Sequence, residues 1–269
     1  VGVIHIADDA SAEIAMTLPW RTAWVTGASS GIGRALALRL AAQGVTVAAS
    51  ARRVEALHEL TKLNPKIHAF PLDVTDTRAT KAVVTSIQDT RGPIELAVLN
   101  AGIGQRMGVD NFDAEVAAQT MAVNYQGLVN GVAALLPGMR ERRSGRIALM
   151  SSVAGYRGLP RAAAYAPSKA AAISLAESLR PELQDRGISI SIINPGYVET
   201  PLTENARYPL PFVISAEDAA SRIISGLARG KFEIAFPWQM VWMLKLGRLM
   251  PYPLFFWMMK RGGKRQGQK

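Results

Sequence analysis

Thr26-Gly27-Ala28-Ser29-Ser30-Gly31-Ile32-Gly33 is the stretch on which the fold turns. A short apolar run, Thr22 to Val25, precedes it, and a segment of helical apolar spacing, Ile32 to Gln43, follows. Glycines at a strand–helix junction let the backbone turn tightly and approach a pyrophosphate. The free N–H groups and positive dipole end of the helix then face the anion. A lone glycine triplet is no more than a tight turn; the strand before and the helix after make it a dinucleotide-binding signature.

The same alternation continues outward along the chain. Val45–Ser50, Ile67–Pro71, Leu96–Leu99, Arg146–Met150, Ser189–Ile193 and Phe232–Ala235 read as strands. Val54–Leu63, Ala79–Thr90, an alanine-rich stretch from Tyr165 to Asp185 ended by Gly187, and Ala216–Ala228 behind Ser215 as N-cap read as helices. Strands that are short apolar runs are buried on both faces. The pattern predicts an α/β fold of Rossmann type: a doubly wound, seven-stranded, mostly parallel sheet with helices on both faces. Neither repeat nor linker interrupts it, so residues 21–236 read as one domain, with an N-terminal extension over 1–20 and an aromatic, basic C-terminal extension over 237–269.

Composition narrows the function. The chain has 269 residues, 49% of them hydrophobic and 19% charged, which suits one packed domain and argues against global disorder. It has no cysteine, which excludes disulfides, thiolate metal sites and cysteine nucleophiles. His5, His58 and His68 stand in no metal-ligand spacing, which argues against a metal enzyme. Val1–Trp20 carries Asp8, Asp9 and Glu13 and lacks the basic start and apolar run of a signal peptide, so the expected location is cytoplasmic. The net charge of +10 could serve an anionic cofactor, nucleic acid or lipid. Much of the excess is C-terminal: from Ile234 onward there is no acidic residue.

A site for NAD usually ends its second strand on a carboxylate that takes the ribose 2′-hydroxyl. Here that strand ends Ala48-Ala49-Ser50-Ala51-Arg52-Arg53. Guanidinium groups suit a 2′-phosphate by charge and by their forked geometry. Cations at a helix start oppose the dipole, so Arg52 and Arg53 need some other reason to be there. The residues therefore select NADP(H) over NAD(H), with Arg34 as a further positive charge.

Tyr165-Ala166-Pro167-Ser168-Lys169 supplies a tyrosine and a lysine four apart, on one face of a helix. A tyrosine starts near pKa ~10, so it needs a cationic partner to exchange protons near neutrality. On its own the pair is weak. Its setting strengthens it, because Ser151-Ser152-Val153-Ala154-Gly155 follows the fifth strand at its carboxyl end, where ligands sit in open α/β sheets. Asn124 is a polar residue inside the long helical stretch between the fourth and fifth strands, otherwise a poor choice there.

With the T-G-x-x-x-G-x-G loop, Asn100-Ala101-Gly102, Asn124, Ser152, the Y-x-x-x-K pair and Pro195-Gly196-Tyr197-Val198-Glu199-Thr200 in this order, the chain resembles the short-chain dehydrogenase/reductase family from about Ala23 to Phe236. The resemblance implies a set of roles. Gly27, Ser29, Ser30, Gly31, Ile32 and Gly33 hold the cofactor phosphates. Asp73 and Val74 meet the adenine, while Asp76 or Thr75 also serves as N-cap. Asn100, Ala101 and Gly102 run along the cofactor, and Pro195, Gly196, Val198 and Thr200 meet its carboxamide. Tyr165 is the general acid or base, and Lys169 lowers its pKa and holds the ribose. Ser152 polarises the substrate carbonyl, with Ser151 a structural turn residue, and Asn124 supports a water relay behind Lys169. It further implies a homodimer or homotetramer joined by the helices carrying Asn124 and Tyr165.

Residues Pro201–Ile214 correspond to the family's substrate lid (about 201–215). Tyr208, Leu210 and Phe212 there fit an apolar carbonyl or alcohol, or equally the ordinary packing of a proline-stiffened loop. Beyond Pro237, two aromatic-rich halves are split by Lys245, Arg248 and Pro251-Tyr252-Pro253. Each half is shorter than the ~20 residues that span a bilayer. Interfacial membrane contact and packing on a partner subunit or over the active site both fit such a tail. Nucleic-acid binding would leave the Ser152–Tyr165–Lys169 arrangement without a purpose. A non-catalytic NADP(H)-sensing regulator on the same fold is the alternative to an enzyme.

Overall fold

The computed structural model describes residues 18–204 and 210–266, with side chains described through residue 261. Most of the 1–20 extension, together with Tyr208, Pro209 and Lys269, lies outside the described residues.

Seven strands form one sheet: β1 (Thr22–Thr26), β2 (Thr46–Ser50), β3 (Ile67–Ala69), β4 (Leu96–Leu99), β5 (Gly145–Met150), β6 (Ile188–Pro195) and β7 (Glu233–Phe236). Their order is β3-β2-β1-β4-β5-β6-β7. All six pairings are parallel, so the sheet is wholly rather than mostly parallel. The order reverses between β1 and β4, and the carboxyl edge at that switch is where a doubly wound sheet opens a ligand crevice.

The helices are α1 (Gly31–Ala42), α2 (Val54–Leu63), α3 (Thr77–Arg91), α4 (Ala114–Met121), α5 (Gly127–Glu141), α6 (Tyr165–Gln184), α7 (Ala216–Ala228), α8 (Trp238–Leu249) and α9 (Tyr252–Gln266). Side chains alternate across a strand, and β1 shows the result. Ala23 and Val25 join a core with Leu36 and Leu40 of α1, Leu57 of α2 and Ile223 of α7. Trp24 joins the opposite core with Ile87 of α3, Leu135 of α5 and Ala176 of α6. The fully buried Trp24 indole donates from Nε1 to Ser50 Oγ at 2.9 Å, so its one polar atom is satisfied.

The stretch between β4 and β5 is not a single helix. A π-helical turn, Ala122–Gln126, separates α4 from α5, and Asn124 sits in it. Such turns widen the hydrogen-bond ladder and re-aim side chains. The expected helix caps are in place: Asp76 Oδ1 accepts from Ala79 N at 2.9 Å and Ser215 Oγ from Asp218 N at 3.0 Å.

The described residues at both ends reach the core. Leu18 and Trp20 are buried in it, as are Met240 and Val241 of α8. A Cβ on Gly196 would lie 2.6 Å from Met240 Sδ, so α8 packs directly behind the segment after β6.

Candidate active site

One cleft of about 480 Å³ runs along the carboxyl edge of the sheet. Its walls hold Gly27, Ser29, Ser30, Gly31, Ile32, Arg52, Arg53, Asp73, Val74, Asn100, Ala101, Gly102, Ser152, Tyr165, Lys169, Pro195, Gly196, Val198 and Thr200. Gly33 and Asn124 stand behind the wall. The structure thus brings together residues that are up to 173 positions apart in the chain.

At the first end, β1 delivers the chain into the glycine loop and α1 begins at Gly31. A Cβ on Gly33 would meet Gly27 O at 2.3 Å and Asn100 Nδ2 at 2.5 Å, so only glycine lets α1 start this close to the loop. Ser30 is the N-cap but makes no side-chain cap, and no acidic residue sits in the first turn. The helix start therefore faces the cleft with its donors uncapped by side chains, as an anion site requires. Thr26 fixes the neighbouring N-A-G segment: its Oγ1 accepts from Asn100 N at 2.9 Å and Ala101 N at 3.0 Å.

The two arginines after β2 differ. Arg53 is spent on the loop itself, its Nη2 donating to Ser29 Oγ at 3.0 Å. Arg52 is exposed in the cleft wall and close enough to Asp73 to act on its carboxyl. That carboxyl is held below the usual range first by the backbone N–H of Thr75, with the Thr75 hydroxyl and the Arg52 charge adding to it against the opposing effect of burial. Arg34 is exposed and does not line the cleft.

At the other end the polar groups are buried. Lys169 is only 3% exposed, and burial lowers its pKa to about 8. Its Nζ donates to Met150 O at 3.1 Å and lies 5.5 Å from the Tyr165 ring centroid. Burial pushes the Tyr165 phenol up, and a hydrogen bond with Ser152 opposes that rise. In this geometry the pull expected from Lys169 on Tyr165 is not the ruling influence; desolvation is. Ser152 Oγ accepts from Ala154 N at 3.1 Å and donates to Pro195 O at 3.2 Å, which ties the β5 end to the β6 end.

Hydrogen bonds from further residues hold this end together, and of these Ser168 and Met107 were not singled out by sequence reasoning. Ser151 Oγ donates to Lys169 O at 2.7 Å, a more specific duty than turning the chain. Ser168 Oγ donates to Tyr165 O at 2.7 Å and accepts from Asn124 Nδ2 at 3.0 Å. Asn124 also clamps the Ile103 backbone, accepting from its N and donating to its O, both at 2.8 Å. Met107, almost fully buried, exchanges backbone hydrogen bonds with Arg161 O and Ala163 N and so steadies the loop before Tyr165. At the other end, Asn130 Nδ2 donates to Val74 O at 2.9 Å. A serine inside Y-x-x-x-K and an asparagine one turn after Gln126 were the signals available for Ser168 and Asn130.

Pro201, Leu202 and Thr203 also line the cleft, Thr200 and Pro201 lying against Gly31 and Leu202 against Gly104. Thr203 Oγ1 donates to Val198 O at 2.7 Å, and Val198 bridges Ile214, so the base of the loop is tied at both ends. Among the described residues no cluster of His, Asp and Glu could hold a metal ion.

A family model for short chain dehydrogenases matches residues 21–210. An uncharacterized oxidoreductase of Myxococcus xanthus is 37% identical over 242 residues, which is 88% of this chain and 96% of that protein. A 3-oxoacyl-[acyl-carrier-protein] reductase of Thermotoga maritima is 35% identical, covering 81% of this chain and 86% of that one. The crystal structure of a short-chain dehydrogenase from Streptomyces avermitilis matches with a TM-score of 0.78 at 29% identity, covering 93% of this chain and 98% of that one.

Proposed function

The chain belongs to the short-chain dehydrogenase family of oxidoreductases, and from that premise we propose that it moves a hydride between NADP(H) and a carbonyl or alcohol, with Tyr165 exchanging the proton. The observation that carries the reading is the meeting of Ser152, Tyr165 and Lys169 in the same cleft as the glycine loop.

The residues present fit a nicotinamide dinucleotide. The uncapped start of α1 suits the pyrophosphate, and the close approach at Gly33 leaves the backbone free to meet it. Arg52, in the cleft wall where a carboxylate would favour NAD, suits a 2′-phosphate. Asp73 and Val74 border the adenine end, and Pro195, Gly196, Val198 and Thr200 the nicotinamide end. When bound, the cofactor supplies or accepts the hydride.

The protein's part is the proton and the polarisation. With its pKa raised by burial, Tyr165 keeps its proton at neutral pH and donates it to the substrate oxygen in reduction. In oxidation the phenolate form of the same side chain is the acceptor and becomes the phenol. Ser152 turns its hydroxyl to that oxygen and polarises it. Lys169, still mostly charged at pH 7, holds the ribose and stabilises the phenolate left behind. Asn124 supports the water relay behind Lys169 by fixing the Ile103 loop and Ser168.

Leu202, against Gly104, adds an apolar side chain to the cleft lining, which supports an apolar substrate. A homodimer or homotetramer through the faces of α4, α5 and α6 fits the exposed Ala170 and half-buried Ala171, which permit close approach. A cysteine-free chain suits the reducing cytoplasm. A non-catalytic sensor would leave the buried lysine beside the tyrosine without use.

Fluorescence titration tests the reading. NADPH should bind at least about tenfold more tightly than NADH, and Arg52→Ala should remove most of that difference, the scale of one charge-assisted contact. A preference for NADH would overturn the cofactor assignment. Binding of neither would overturn the oxidoreductase reading.

A further inference from the structure

The C-terminal helices expose what a helix normally hides. On α8, Trp238, Trp242, Leu246 and Leu249 recur at helical spacing, and all four face outward, with Trp238 67%, Trp242 61% and Leu249 80% exposed. The opposite face of the same helix, Met240, Val241 and Gly247, is buried on the domain. On α9, Phe255 is the buried anchor, while Tyr252, Leu254, Phe256 and Trp257 are exposed. The outward faces thus form an apolar surface of a kind that folded proteins rarely leave uncovered.

The surface is firmly seated. Arg157, five residues after Ser152, donates to the carbonyls of Gly247 and Met250 and stacks 3.9 Å from the Phe255 ring centroid. Lys245 pairs with Glu233, which also takes the Tyr156 hydroxyl at 2.5 Å. Two residues of the segment leaving the active-site serine therefore hold the region of α8 and α9. α8 is thus packed on the domain, and α9 is fixed near its start through Phe255 and Arg157.

The charges decide what covers this surface. Arg248, Lys260 and Arg261 are exposed beside the apolar residues, and Arg261 lies 4.0 Å from the Trp257 ring centroid. The sequence adds Lys264 and Arg265, and no acidic residue occurs after Glu233. A two-fold contact sets a patch against its own copy. Here it would oppose like charges with no carboxylate in either patch to pair them. Aromatic rings mixed with cations are instead the composition of a segment lying in a headgroup layer. Among the described residues no helix is long and apolar enough to cross a membrane, so the geometry is that of lying on the surface. We propose that α8 and α9 form a docking platform for an anionic lipid surface, with Trp238, Trp242, Leu249 and Trp257 entering the interface and Arg248, Lys260 and Arg261 meeting the headgroups.

Flotation of the full chain with vesicles tests this. The protein should float with phosphatidylcholine vesicles containing phosphatidylglycerol and not with phosphatidylcholine alone. Lys260→Gln with Arg261→Gln should lower the partition coefficient about 25-fold, at about fivefold for each charge. Trp242→Ser with Trp257→Ser should abolish flotation while NADPH titration shows the fold intact. Equal binding to neutral and anionic vesicles would overturn the proposal. So would indifference to both vesicles together with a solution oligomer that the tryptophan substitutions dissociate.

Discussion

The two ends of the cleft are built on opposite principles. At the phosphate end the working parts are the uncapped start of α1, the partly exposed Gly27 and Gly31, and the exposed Arg52. At the proton-transfer end they are buried side chains, Lys169 and Ser152, 3% and 8% exposed and held by hydrogen bonds. Charge near water is screened, so an exposed arginine tunes affinity by modest factors. Charge in a dry site is not, and small changes there alter protonation itself.

The sharpest way to break this comparison is Tyr165→Phe. Removing only the hydroxyl should lower turnover by about 10²–10⁴-fold, the usual share of a general acid, with NADPH affinity little changed. Steady-state kinetics alongside the titration would decide it; retained turnover would move the proton to another group.

A pH profile gives the next largest effect. Burial raises the Tyr165 phenol, so it keeps its proton through neutrality and does not set the limb. Lys169, brought down to about 8, is charged below that pH and neutral above it. kcat/KM for reduction should therefore fall by about tenfold per unit beyond pH 8. Lys169→Arg, whose charge persists, should shift that limb upward. A limb that does not move would show that another group titrates there.

The smallest effect tests the supporting network. Ser151→Ala removes one buried donor from the Lys169 carbonyl and should cost about 1 kcal/mol of stability, read from the denaturant midpoint. No change in the midpoint would mean that α6 is held by packing alone.

Much of the architecture was readable before any coordinates. Short apolar runs bounded by turns and alternating with helical segments fit strands buried on both faces, and α2, β4 and α7 fall on the residues expected for them. The family motifs named the cleft lining almost residue by residue. Other features were hidden because they depend on partners distant in the chain. Nothing local distinguishes Ser151 from any serine after a strand; its duty exists only because α6 passes 2.7 Å away. The π turn at Asn124 interrupts a stretch that helical periodicity reads as continuous. The aromatic positions of α8 and α9 were visible, but not which of them face out.

The sequence by itself determined the sheet, the glycine loop, the missing carboxylate after β2 and the Ser152–Tyr165–Lys169 set, because each is written in local spacing and residue type. Tertiary structure decided that Arg53 is tied to Ser29 while Arg52 stays in the cleft wall. It also decided that burial pushes the Tyr165 phenol upward, and that Trp238, Trp242, Leu246 and Leu249 of α8 face out. Desolvation and exposure are properties of what surrounds a side chain, and those surroundings come from segments the local sequence does not contain.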